Sequence, residues 1–209
     1  MGRFITFEGP EGSGKSTQAR LLGEALVARG LRVLCTREPG GTAIGEQIRN
    51  ILHDVRNTAM LPLTEILLYS ASRAQHVGEV IRPALARGEV VICDRYAEST
   101  LAYQGYGRGL DLEMLRQITA FATGGLRPDL IVYLDLDVQE GLERKRRDQQ
   151  AGRGEWNRMD QQELAFHLRV RAGYLEMAQQ EPARWLVLDA TQPVALLHQV
   201  VFDRVLRLL

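Results

Sequence analysis

The sequence has few of the features that would indicate an extracellular or membrane-bound protein. Its 209 residues include only two cysteines, Cys35 and Cys93, each near the end of an apolar run. We expect both to be small buried residues rather than halves of a disulfide or a metal site. No stretch approaches the run of about 18 apolar residues that a spanning helix needs. Residues 1–5 enter a strand pattern without a signal-like apolar segment, so we expect a cytoplasmic protein with no membrane partner.

An excess of one charge is also lacking. The 26 basic and 26 acidic residues cancel to a formal net charge of zero. This balance gives no indication of a nucleic-acid partner, and any basic site must be local. Internal repeats and low-complexity tracts are absent as well. The length suits one α/β domain, so we predict a single domain over residues 1–209.

Apolar runs rich in β-branched residues alternate with amphipathic stretches along the whole chain. Continuous apolar runs are typical of strands in a parallel sheet that is covered on both faces. The predicted strands are Arg3–Glu8, Arg32–Thr36, Val90–Asp94, Asp129–Asp135 and Arg184–Leu188. The first predicted helix opens near Lys15 and stops at Gly30, and the others are Ile44–Leu52, Leu63–Arg87, Asp111–Thr123, Val138–Arg147, Gln161–Gln179 and Val194–Leu208. This is the pattern of a doubly wound α/β fold.

A markedly polar and basic segment, Arg144 to Arg158, interrupts two amphipathic helices. We interpret it as a mobile lid rather than a domain boundary, and refer to it below as the lid segment.

A phosphate-binding loop follows the first strand and opens the first helix, the context that such a loop requires. The residues Gly9-Pro10-Glu11-Gly12-Ser13-Gly14-Lys15-Ser16 fit the pattern G-x-x-x-x-G-K-[ST], and Thr17 follows. Glycines allow backbone N–H groups to turn toward one centre, and the lysine supplies a charge for the β- and γ-phosphates of ATP. The serine would bind Mg²⁺. An ordinary glycine-rich turn is the alternative, but it would need neither Lys15 nor Ser16.

Two charged residues stand at the end of the third predicted strand, the edge at which open α/β sheets bind ligands. Asp94 is well placed to hold Mg²⁺ directly or through water, although it could instead cap a turn. Arg95 can fork onto phosphate oxygens. Arg37 and Glu38 end the second strand and face the same rim, and Pro39 begins a loop that could either approach a second substrate or bind nothing.

With these segments the chain resembles the thymidylate kinases over essentially its whole length. Besides the phosphate loop, the resemblance rests on Thr36 to Thr42, Leu68 to Arg73, and Asp94 to Tyr96 extended by Ser99 to Gly105. It implies a P-loop NTPase fold that transfers a phosphoryl group from ATP to dTMP, giving ADP and dTDP for dTTP synthesis. It also implies a homodimer, to which the apolar stretch Leu61 to Leu68 could contribute if it is not simply core helix.

The resemblance also implies residue roles. Tyr69, where most members carry phenylalanine, would stack on thymine, and Arg73, one turn later, would contact a carbonyl oxygen of the base. Thr100, Tyr103 and Gln104 would read the base and sugar, Ser99 would also contact the substrate, and Glu11 would contact the 3′-hydroxyl. Arg95 would bridge the acceptor phosphate and the transferred group.

The lid segment would supply the remaining groups. Because Gly12 follows Glu11, where some members have arginine, the chain fits the bacterial pattern in which a lid arginine assists transfer. Arg153 is the first choice for that arginine, with Arg147 and Arg158 as rivals. Arg144 would pack on the adenine ring.

Two other functions stay open on sequence alone. A nucleotide kinase of the same fold with another acceptor would use the same phosphate loop, Asp94 and Arg95. A nucleotide-hydrolysing switch is the second alternative, although the guanine-reading motif N-K-x-D is absent.

Overall fold

The computed structural model describes residues 2–209, so that Met1, the first residue of the predicted domain, lies outside the described part. Five parallel strands form one sheet in the order β2-β3-β1-β4-β5. The strands are β1 Arg3–Glu8, β2 Val33–Arg37, β3 Val90–Asp94, β4 Leu130–Asp135 and β5 Trp185–Asp189. The predicted five-stranded parallel sheet is therefore confirmed, with strand bounds shifted by one residue at most.

Helices cover both faces of the sheet. They are α1 Lys15–Ala28, α2 Ala43–His53, α3 Pro62–His76, α4 Arg82–Ala86, α5 Ala97–Thr100, α6 Leu112–Thr123, α7 Val138–Gln150, α8 Leu164–Gln180 and α9 Val194–Leu206. None of the helices found in residues 2–209 is long and apolar enough to cross a membrane.

Alternation along the strands divides the core into two layers. Ile5 and Phe7 of β1 pack in the cluster that contains Leu22 of α1 and Val201 of α9. Phe4, which points the opposite way, belongs to the cluster beneath α4. A third cluster lies between β4 and α8. Because each layer buries its own apolar residues, β1, β3 and β4 are held at the centre of the sheet, where their carboxyl ends reach the functional site.

Two segments of the chain are π-helical. The predicted helix Leu63–Arg87 contains the segment Val77–Ile81 between α3 and α4. Pro83 explains it, because proline lacks the N–H of a regular turn and its ring collides with the carbonyl four residues earlier. The second segment, Leu101–Gly107, continues α5. Such segments are frequent at functional sites.

The prediction that both cysteines are buried is wrong for Cys35. Cys93 is buried, but Cys35 is exposed. β2 is an edge strand and is only partly covered, so its apolar sequence does not guarantee burial. The thiols have no disulfide partner.

Candidate active site

The phosphate loop connects β1 to α1 and is packed against the start of α7. Gly12 has φ 69°, a backbone conformation that favours glycine. A side chain on Gly12 would collide with the carbonyl oxygen of Gly141, and one on Gly141 would collide with the carbonyl oxygen of Glu11. The two glycines therefore allow α7 to lie directly on the loop.

Lys15 is buried beneath this loop. Its Nζ donates to the carbonyl oxygens of Gly9 at 3.2 Å and Pro10 at 2.8 Å. Burial, together with the neighbouring charge of Arg95, lowers the pKa of the Lys15 amine to about 8. The amine is thus poised to gain from a polyanion, which would favour its charged form.

A pair of oxygen ligands lies beside Lys15. The Ser16 hydroxyl donates to Oδ2 of Asp94 across the gap between α1 and β3. Within residues 2–209, no group of three acidic, histidine or cysteine residues is placed to hold a metal ion. Mg²⁺ commonly takes one or two protein oxygens and completes its shell with water and substrate phosphates. The side-chain oxygens of Ser16 and Asp94 fit this coordination preference of Mg²⁺.

Glu11 is the centre of a charged cluster at the mouth of the loop. Its Oε1 accepts from Arg95 at 2.6 Å and from the Tyr103 hydroxyl at 3.2 Å, and its Oε2 accepts from Lys145 at 3.1 Å. Burial alone would raise the pKa of this carboxyl, but Arg95, Lys145 and Lys15 outweigh it and hold the pKa well below the usual range. Glu11 is therefore ionised and keeps the cations together.

Arg95 occupies a left-handed backbone conformation, with φ 70°, immediately after β3. Its guanidinium also donates to the Ser99 hydroxyl at 3.3 Å and lies over the ring of Tyr103. Beneath it, the buried carboxylate of Glu8 accepts from Ser99 at 2.6 Å and from the Tyr174 hydroxyl at 2.7 Å. This network fixes the direction in which Arg95 points.

A cavity of about 470 Å³ extends from the phosphate loop toward α3. Tyr69 and Arg73 line it from α3, and Thr100, Tyr103 and Gln104 line it from α5 and the π-helical segment that follows. Arg73 is buried and donates to Glu38 at 2.7 Å, to the Thr100 hydroxyl at 2.8 Å and to the carbonyl of Tyr96 at 2.9 Å. The volume suits a nucleotide-sized ligand.

The segment after β2 forms one wall of the same cavity. Arg37, Glu38 and Pro39 all line it. Arg37 is exposed and pairs with Glu46 at 2.9 Å. Glu38 is buried between Arg73 and His76, whose Nδ1 lies 3.0 Å from Oε1. Glu38 therefore orients Arg73, a contact that the sequence did not reveal.

The lid arginines differ in placement. Arg153 lines the cavity and pairs with Asp148 at 2.8 Å, while its side chain stays 67% exposed. Arg147 only reaches the carbonyl of Glu143 in its own helix. Arg144 lies against the phosphate loop near Gly12 and pairs with Glu140.

The structure corrects the suggestion that Arg158 could be the transfer arginine. It is buried, pairs with Glu65 and donates to the carbonyl oxygen of Leu52. Its guanidinium is thus committed to the protein body. The charge of the lid segment suggested a solvent-facing residue because composition does not show which side chain turns inward.

Lys145 is a residue of the site that sequence reasoning missed. It bridges Glu11 and Asp160, at 3.1 and 2.7 Å. Although burial opposes its charge, the two carboxylates raise its pKa. Residues 143–147 are all charged, so charge gives no signal. A sequence signal that could identify Lys145 is its spacing of four residues from Gly141, which places it on the helix face that touches the loop.

These features define a P-loop NTPase fold with a partly open cavity beside the phosphate loop. Residues 7–201 match the sequence model of the thymidylate kinase family. The thymidylate kinase of Roseiflexus castenholzii is 58% identical, over 96% of this chain and 91% of the relative. That of Deinococcus radiodurans is also 58% identical, over 92% of this chain and 91% of its own. The chain belongs to the thymidylate kinase family.

A solved structure agrees with this assignment. The crystal structure of thymidylate kinase from Ehrlichia chaffeensis superposes with a TM-score of 0.77 at 33% sequence identity, and 98% of each chain is covered. Sequence and fold therefore point to the same family over nearly the whole chain.

Proposed function

We propose that this protein transfers the γ-phosphoryl group of ATP to dTMP, producing ADP and dTDP, a step toward dTTP. The observation that carries the proposal is the single cavity that joins the phosphate loop to the Tyr69 and Arg73 wall. One end offers Lys15 and Arg95 to phosphates, and the other offers an aromatic ring and hydrogen-bonding groups to a base. The named relatives are thymidylate kinases, which supports dTMP as the acceptor.

The acceptor phosphate would be held by Arg95. Glu8 and Ser99 fix the direction of the Arg95 side chain, and Glu11 holds its outer nitrogen. Arg95 can therefore place an acceptor oxygen in line with the transferred group. No strong general base is needed, since a phosphate monoester is already ionised at neutral pH. Glu11 would accept from the 3′-hydroxyl while Tyr103 crowds the 2′ position and favours deoxyribose.

Charge on the transferred group would be offset from two sides. Residues 9–17 would cradle ATP, with Lys15 near its β- and γ-phosphates and Arg144 beside adenine. Arg153 would leave Asp148 for the phosphoryl group, since its exposed side chain already borders the cavity. In this proposal residues 1–209 form one catalytic domain and the lid segment excludes water during transfer.

Ser16 and Asp94 would hold Mg²⁺. When bound, the ion would neutralise phosphate charge. The hydrogen bond from Ser16 to Asp94 supports this assignment, because it brings two side-chain oxygens together beside the lysine.

We also propose that the protein is a homodimer. Leu61, Leu63 and Leu67 on or next to α3 are 57 to 67% exposed, and Phe121 of α6 is 92% exposed. Each of these side chains exposes apolar surface that a second copy could cover. Sedimentation velocity should show a dimer that Leu67→Glu converts to monomer. The cytoplasm is the proposed location, where ATP is available.

The decisive test is ADP release coupled to NADH oxidation with ATP and Mg²⁺, comparing dTMP, dUMP, dCMP, dGMP and dAMP. We expect strong preference for dTMP. Preference for another monophosphate would reject the acceptor, and turnover that needs no acceptor would indicate an ATPase switch instead.

Arg153→Ala tests the lid assignment, with Arg147→Ala as its matched control in the same lid. Arg153→Ala should lower kcat by roughly 100-fold or more, as expected for loss of a transition-state arginine. Arg147→Ala should have a much smaller effect, because that residue does not border the cavity. Equal losses in both variants would refute the choice of Arg153.

A further inference from the structure

Glu65 is a buried carboxylate behind the wall of the cavity. Its side chain is 1% exposed. Oε1 accepts from Nε2 of Gln104 at 2.8 Å, and Oε2 accepts from Arg108 at 3.0 Å and from Arg158. Glu65 does not itself line the cavity, whereas Gln104 does.

The chemistry of this contact determines which way the Gln104 amide faces. An ionised carboxylate accepts hydrogen bonds and cannot donate them, so the NH₂ group of Gln104 must point to Glu65. Burial would favour protonation, but Arg108, Gln104 and Arg158 together lower the pKa of Glu65, which keeps it ionised. The amide oxygen of Gln104 takes no hydrogen bond from residues 2–209 and is not sealed from the cavity.

The groups beside Gln104 have the opposite polarity. Arg73 uses three of its five N–H groups on Glu38, Thr100 and Tyr96, so two remain unpaired among the described residues. The Thr100 oxygen accepts from Arg73, and its proton stays available. This edge of the cavity therefore presents donors next to one acceptor.

Only some bases match that pattern. Thymine and uracil carry a hydrogen on N3 between two carbonyl oxygens, so they donate where Gln104 accepts and accept where Arg73 or Thr100 donates. Cytosine has an unprotonated N3 beside an amino group. With cytosine, the lone pair on N3 would face the amide oxygen of Gln104, and the amino group would face the donors of Arg73 and Thr100.

We propose that Glu65 is a positioning residue for base selection: by holding the NH₂ group of Gln104, it turns the amide oxygen toward the base and disfavours cytosine. The inference rests on the proposed function, because it assumes that a pyrimidine nucleotide occupies this cavity. Gln104 alone would not select the base, since an amide without a fixed partner can present either its oxygen or its NH₂ group. A charge that does not bind the amide would not select the base either.

The test uses three acceptors and the substitution Glu65→Gln in the full chain. The neutral amide can accept or donate, so it no longer fixes Gln104. The ratio of kcat/KM for dUMP to that for dCMP should fall by about tenfold or more, because the pocket loses its built-in rejection of the wrong edge. The ratio for dTMP to dUMP, which reports only the methyl group, should stay within about twofold.

A second pair of variants guards against misfolding, since Glu65→Gln alone leaves Arg158 buried without a carboxylate. Arg158→Met is compared with Glu65→Gln/Arg158→Met, because these differ only in the group that faces Gln104. Selectivity should survive in the former and fall in the latter. Gln104→Met should itself reduce selectivity, and adding Glu65→Gln to it should cause no further loss.

The outcomes separate the inference from the function on which it rests. An unchanged dUMP to dCMP ratio in both Glu65→Gln variants, or equal loss for all three acceptors, would overturn the positioning role. If the unmodified protein shows no preference for dTMP, the proposed function fails first.

Discussion

The contact between α7 and the phosphate loop leads to a prediction for Gly141→Ala. Gly141 is buried near the start of α7, and an added methyl would collide with the carbonyl oxygen of Glu11. The methyl would also lie 3.4 Å from the carbonyl carbon of Glu11 and 3.5 Å from Leu136. Both sides of the gap are backbone or core, so no flexible side chain can simply turn away.

The expected magnitude follows from two opposing effects. Alanine should favour the helix by up to about 1 kcal/mol over glycine. Overpacking a tight contact costs about 1–3 kcal/mol, so we expect a net loss of stability of roughly 1 kcal/mol. In a chain of this size that lowers Tm by about 2–4 °C. Because the loop must shift by a fraction of an ångström to 1 Å, kcat/KM should fall by up to about 100-fold.

Gly78→Ala is the matched control. Gly78 is exposed in a helical segment, and an added methyl would meet nothing within 4 Å. Its Tm should stay equal or rise, with unchanged activity, in thermal unfolding and coupled ADP-release assays. If Gly141→Ala behaved like Gly78→Ala, the close packing of α7 on the loop would not be what positions the phosphate site.

Three further predictions concern charges at the site. Lys145→Met should lower kcat/KM for dTMP by about tenfold or more, because Glu11 loses a charge-assisted partner; equal activity would remove Lys145 from the site. The Lys15 amine has a pKa of about 8 and loses its proton as the pH rises through that value, so kcat/KM for ATP should decline above about pH 8. Arg20→Met, on the exposed face of α1, should leave that pH profile unchanged. Asp94→Asn should raise the Mg²⁺ concentration for half-maximal rate, and chelation should abolish turnover; an unchanged Mg²⁺ dependence would contradict the metal assignment.

Much of the fold could be predicted because local sequence and tertiary environment agree. β1, β3 and β4 are central strands, and their continuous apolar runs match burial on both faces. The phosphate loop combines a fixed spacing with a strand before it and a helix after it. Where an element lies at the edge, as β2 does, the same apolar pattern no longer fixes exposure, and Cys35 was misjudged for that reason.

Without the family resemblance, which supplied Tyr69, Arg73 and Gln104, the candidate site could be predicted where a motif ties residues to a strand end. Asp94 and Arg95 follow β3, so their position at the sheet edge is a consequence of the strand. Glu65, Lys145 and Arg158 lie on elements whose rotation depends on packing, and periodicity alone does not reveal their long-range partners. The bonds from Glu65 to Gln104 and to Arg158 span 39 and 93 residues of sequence, and the bond from Lys145 to Glu11 spans 134.

Three buried acids share a physical role, and two of them, Glu8 and Glu65, were not predicted from the sequence. Glu8, Glu38 and Glu65 are buried carboxylates, and each holds a residue of the cavity wall: Ser99, Arg73 and Gln104 respectively. A buried carboxylate is costly unless it is fully hydrogen-bonded, so each of these three restricts its partner to one orientation. A cavity that must distinguish one base edge and align one phosphate needs side chains whose directions are fixed before the ligand arrives. Glu8 and Glu65 do not line the cavity and can act only through the side chains that they hold, which explains why a motif that identifies the contacting residues does not identify these two acids.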